Sequence, residues 1–71
     1  MPEEVEKLKK LATDKNLLVS QHIDAIGLLG DIGTREAMLA LLDVAADSGL
    51  LASERSYALI KAREIIKSGI S

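Results

Sequence analysis

The stretch Leu17–Ile26, LLVSQHIDAI, is answered further along the chain by Leu50–Leu59, LLASERSYAL. Leu17/Leu50, Leu18/Leu51, Ser20/Ser53 and Ala25/Ala58 are identical when the two are superposed. Outside the stretch the same offset also matches Glu3/Glu36, Leu8/Leu41, Ala12/Ala45, Asp14/Asp47 and Ile32/Ile65. That makes nine identities in 38 compared positions without a gap, where composition alone gives roughly three or four. A self-match at this period predicts a unit of two helices joined by a short connection. Such a unit cannot bury its apolar face alone and must stack on a neighbour. The chain is accordingly read as a single all-helical domain, 1–71, with a first repeat at about 1–33 and a second at about 34–71.

The apolar spacing is helical throughout. Helix 1 is predicted over Pro2–Thr13, with proline at its first position and Glu3 and Glu4 at the positive end of its dipole. Helix 2 is predicted from about Ser20 to Asp31, with a start nearer Asn16 as the alternative. Helix 3 follows Thr34, a good N-cap, and is expected to end at Gly49 in the left-handed conformation. Helix 4 follows Ser53 and ends at Gly69. Helix 1 has a narrow apolar stripe, Val5, Leu8, Leu11 and Ala12, as suits an outer element. Helix 3 is apolar over more than half its circumference and is expected inside. Helix 4 turns Leu59, Ala62, Ile65 and Ile66 one way and leaves Tyr57 and Ile60 toward the other. The fold class is all-α: four helices as two antiparallel pairs. A plain up-down bundle is the alternative, and only the repeat arrangement relates helices 1–2 to helices 3–4.

Composition removes several functions. There is no cysteine, which excludes a disulfide scaffold and a zinc ribbon. No run reaches the roughly 20 apolar residues of a membrane span, and the opening MPEEVEKLKK has no apolar signal region. A cytoplasmic protein without membrane contact is expected. The net charge of −2 disfavours an electrostatic grip on nucleic acid.

The segment Gly27–Gly33, GLLGDIG, resembles a phosphate loop only in glycine content. A Walker loop needs Lys-Ser/Thr after its glycines and a strand before them. Here Thr34-Arg35 follows and a helix precedes. The glycines are read instead as packing and turn residues. Gly30 permits close helix approach, Gly33 takes positive φ, and Gly27 costs about 1 kcal/mol unless packing compensates. Leu29-Gly30-Asp31-Ile32-Gly33 also resembles the leucine-glycine, any residue, isoleucine-glycine signature that closes a B helix in HEAT-like repeats, especially the short repeats named after phycobilisome lyases. The likeness runs through Asp47, with Ala37, Leu41 and Leu42 suiting the next A helix. The second unit departs from it, carrying Arg63-Glu64-Ile65-Ile66 where the first has Gly30-Asp31-Ile32-Gly33. The resemblance implies two HEAT-like repeats, a fragment of an α–α superhelix, and a scaffold role. Bilin attachment, associated with some members, has no residue here to carry it.

No catalytic, cofactor or metal site can be assembled. His22 is the only histidine, and Asp24, two residues on, points elsewhere on the helix. The register pairs His22 with Arg55, so a cationic group at the rim is expected there. Asp43 and Asp47 are read as a solvated face. Two repeats are fewer than a solenoid usually needs, so an apolar end is expected to bind a second copy or another protein. Asp24, Leu28, Tyr57, Ile60 and Lys61 are the candidate interaction surface. The alternative is a small DNA-binding or regulatory protein that reads with helix 4 through the basic stripe Arg55, Arg63 and Lys67.

Overall fold

A computed structural model describes residues 2–70. Four helices follow in order: α1 (Pro2–Thr13), α2 (Val19–Ile32), α3 (Arg35–Ala45) and α4 (Ala52–Ser68). No strand occurs among the described residues. α1 and α3 begin one sequence period apart, and so do α2 and α4. α1 packs on α2 and α3 on α4, while α1 also touches α3 and α2 touches both α3 and α4. α1 and α4 do not approach each other. A closed up-down bundle would bring the first and last helices together. Here α1, α2, α4 and α3 pack in that cyclic order as a small helical bundle, with the α1–α2 pair lying against the α3–α4 pair.

The inner role falls to two helices, not one. α2 and α3 each touch three others, whereas α1 and α4 each touch two. The core is aliphatic, with Ile26, Leu29, Leu41 and Val44 fully enclosed and Val5, Ala12, Ala58 and Ile65 around them. The expected stripes shift in detail. Leu11 of α1 is exposed, as are Leu59 and Ile66 of α4. α4 buries Ala62 and Ile65 of its expected stripe and adds Ala58.

Helix starts differ instructively from the sequence reading. Thr34 caps α3 as expected, its hydroxyl accepting from the Ala37 N–H at 3.2 Å. α2 and α4 instead begin one residue before Ser20 and Ser53, so those serines sit inside the helices and Leu18 and Leu51 occupy the cap position. A leucine side chain accepts nothing. The fourth residue of each start supplies the acceptor: Gln21 Oε1 takes the Leu18 N–H at 2.9 Å, and Glu54 Oε1 takes the Leu51 N–H at 2.8 Å. Each is the reach-back half of a capping box.

The links preceding these helices share one geometry. Asn16 N–H donates to Asp14 Oδ1, and Gly49 N–H to Asp47 Oδ1, both at 2.9 Å. Leu17 N–H donates to the Asp14 carbonyl, and Leu50 N–H to the Asp47 carbonyl, both at 3.1 Å. These are aspartate side chains closing turns on their own backbone. They also explain why α3 stops at Ala45 and why Gly49 is not left-handed: only Gly33 (φ 67°) and Gly69 (φ 85°) have positive φ among the described residues. Gly33 closes α2, its N–H reaching the Leu29 carbonyl.

Candidate functional site

His22 and Glu54 are the buried ionisable pair among the described residues. They are 4% and 1% exposed. His22 Nδ1–H donates to Glu54 Oε2 at 2.5 Å, and His22 Nε2–H donates to the Asp14 carbonyl at 2.6 Å. Both ring nitrogens therefore face acceptors, which is the bonding pattern of an imidazolium. The hydrogen bond to Asp14, aided by Glu54, outweighs burial and raises the His22 pKa above its ordinary 6.5. Burial pushes the Glu54 carboxyl up, but the Leu51 N–H and His22 outweigh it and hold its pKa below 4.5. One line of bonds thus runs from the α1–α2 link through His22 and Glu54 to the start of α4. The pair joins the two halves of the molecule from within.

His22 falls on the apolar side of the α2 wheel, where a partly buried ring needs a polar partner; Glu54 from the other pair is that partner, and burial is more complete than a rim position. Glu54 was not singled out in the sequence. The available signal was an acidic residue at the N3 position of helix 4, one place before the residue in register with His22. Pairing it with His22 requires the stacking, since 32 residues separate them.

Two further ion pairs cross the same boundary near the surface. Lys9 reaches Asp43 at 2.8 Å, and Lys15 reaches Asp47 at 2.7 Å. The carboxylates read as a solvated face are therefore each engaged by a lysine from the first pair. Exposed ion pairs of this kind contribute little, about 0–1 kcal/mol, but they agree in register with the buried one.

The α2–α4 contact uses the glycines. A Cβ on Gly27 would lie 3.5 Å from the Tyr57 hydroxyl, and one on Gly30 would lie 3.0 Å from Lys61 Cδ. Lys61 Nζ also sits 5.5 Å from the Tyr57 ring centroid and 3.3 Å from Glu64. Tyr57 and Lys61 are half-buried in this packing, whereas Asp24, Leu28 and Ile60 are exposed. The structure so divides the candidate surface. Asp24, Leu28 and Tyr57 share a shallow hollow with Gly27, while Ile60 is not part of it. Of the basic stripe, Arg63 and Lys67 are exposed. Arg55 is half-buried, and its Nε has no acceptor among the described residues.

Part of the remaining apolar surface lies on the outer, uncovered sides of the two pairs, the open ends of the molecule. At one end a groove between α1 and α2 is lined by Leu8, Leu11, Leu17 and Leu28, with Gln21 and Asp24 at its polar side. At the other end Leu42, Leu59 and Ile66 are solvent-exposed. No group of three or more His, Cys, Asp or Glu side chains among the described residues is arranged to hold a metal ion. No helix among them is long and apolar enough to cross a membrane.

Comparison with protein families, curated proteins and solved structures finds no match to this chain.

Proposed function

We propose that this chain is a non-catalytic protein–protein interaction module, a two-unit fragment of a HEAT-like α–α superhelix that binds through its open ends. One observation carries the reading. Ile26 is fully buried, while Leu59, its counterpart in the second unit, is 54% exposed. The same position in the unit is core in one copy and surface in the other, which is what an end without its neighbour looks like. The non-catalytic part is supported by His22. Both its nitrogens are committed to internal acceptors, and it has no solvent-facing edge from which to meet a substrate.

Affinity capture with the full chain tests the reading, comparing the wild type with Leu59→Asp and Leu28→Arg, which alter exposed positions at opposite ends. At least one bound species, another protein or the chain itself, is expected to be lost with one of the variants. A bound set identical for all three proteins refutes the module. For the alternative of DNA reading by α4, Arg63 and Lys67 are accessible, but Tyr57 is held against Gly27 and offers no stacking platform. Titration with duplex DNA at low salt decides it, since phosphate contacts give salt-steep binding.

A further inference from the structure

We propose that copies of this chain associate head to tail, the open α3–α4 end of one molecule seating the open α1–α2 end of the next in continuation of the internal repeat register. The inference rests on the interaction-module reading and names its partner as a second copy.

Charge separates the two ends. On α3, Arg35 and the exposed Leu42 lie seven residues apart and share one face. Arg55, Leu59, Arg63 and Ile66 fall at spacings of four, four and three, so they share one face of α4. At the opposite end Asp24 and Leu28 of α2 line the α1–α2 groove, and Glu4 lies on the Leu11 face of α1 with Lys7 beside it. One end is apolar and basic, the other apolar and mainly acidic. A two-fold dimer through the α3–α4 end would set arginines against arginines. A head-to-tail contact sets them against carboxylates.

Size agrees with charge. Inside the molecule the α2–α4 contact puts large side chains on glycines, Tyr57 on Gly27 and Lys61 on Gly30. One register step outward, the receiving positions are Ile60 and Arg63, and the entering positions on the next copy are Asp24 and Leu28. Large on small becomes small on large. The exchange keeps the helix spacing open to continuation; it seats Asp24 of one copy on Ile60 of the other and Leu28 on Arg63, with Asp24 one helical turn from Leu28 and so within reach of the long Arg63 side chain. Arg55 occupies the place of His22, whose acceptor Glu54 is supplied by the following unit. On the next copy that place belongs to Gln21, which is exposed.

Sedimentation over a concentration series tests this with the full chain, Leu28→Arg and Leu59→Asp. Both substitutions are at exposed sites, and unchanged thermal melting of the dilute proteins verifies the fold. The wild type is expected to associate, and each variant alone to associate at least roughly tenfold more weakly. Mixed together, the two variants regain a 1:1 complex, because one keeps an intact α3–α4 end and the other an intact α1–α2 end. Arg63→Asp is likewise expected to weaken association and to be rescued by mixing with Asp24→Arg. Loss in Leu59→Asp with normal association of Leu28→Arg would mean a two-fold dimer and overturn the proposal, as would a mixture that stays monomeric. A wild type monomeric up to about 1 mM also overturns it, while the capture experiment then decides separately whether another protein uses these ends.

Discussion

The segments 14–22 and 47–55 are built alike and placed differently. Each has an aspartate-closed turn, a leucine at the cap position and a side chain reaching back from the fourth residue. In the first the reaching residue is Gln21, exposed at the open end; in the second it is Glu54, buried between the pairs. An amide satisfies the backbone donor as well as a carboxylate does. The charge on Glu54 is therefore explained by His22 and not by the cap. Local backbone chemistry repeats with the period of the sequence, and the charges record which neighbour each copy faces.

The largest test of that contrast is truncation. Glu54→Ala strands the His22 cation and removes a cap, and is expected to cost about 3–5 kcal/mol. Gln21→Ala removes only the cap and is expected to cost about 1 kcal/mol. Chemical denaturation of both variants gives the numbers; equal losses would break the comparison. A chain of this size has about 4–10 kcal/mol in all, so Glu54→Ala can approach full unfolding. Glu54→Gln, which keeps the acceptor for Leu51, serves as the milder companion.

The core positions follow. Ile26→Ala is expected to cost about 2–5 kcal/mol. Leu59→Ala, measured at concentrations too low for association, should lie within about 0.5 kcal/mol of wild type. A large loss at Leu59 in dilute solution would show that the α3–α4 end is closed by something within the chain.

Titration sharpens the contrast further. The His22 contribution is complete below its unfolded pKa of 6.5 and fades as pH rises through the higher folded value. The Glu54 contribution is complete above 4.5 and fades as pH falls through the lower folded value. The pair thus stabilises most between these values. Unfolding free energies measured across pH should fall on both sides of that window, and Glu54→Gln should flatten the alkaline fall. Gln21→Glu, at the exposed end, should leave it intact.

Glycine gives the smallest effects. Gly33→Ala puts a Cβ at φ 67° and is expected to cost about 1 kcal/mol. Gly49→Ala meets the flexible end of Lys15 and, at 3.2 Å, Asp47 Oδ1, and should cost less, through the Lys15–Asp47 pair and the turn that Asp47 closes. Melting temperatures order the two.

Much of the architecture was legible from the sequence. Period and apolar spacing located four helices, and Thr34 and Gly33 act as their residue types predict. Gly49 misled because Asp47 closes that turn with its side chain and leaves no need for a left-handed residue. Ser53 misled as a helix start because Glu54 reaches back to Leu51 and the helix begins upstream, at Ala52. The His22–Glu54 pair was out of reach for a different reason: it exists only after stacking, and no local pattern encodes which carboxylate will be opposite. Leu59 and Ile66 carried an ambiguity of the same kind, since apolar spacing marks a face without saying whether a neighbour covers it.

The joint between α2 and α3 is only Gly33 and Thr34. So short a tether holds the two pairs at an effective concentration that free copies in solution do not approach, in the millimolar range or above for short linkers. An interface too weak to persist between separate molecules is thereby nearly always formed within one. If ends of the same design meet between copies, the same chemistry gives a permanent contact inside the chain and a concentration-sensing one outside it.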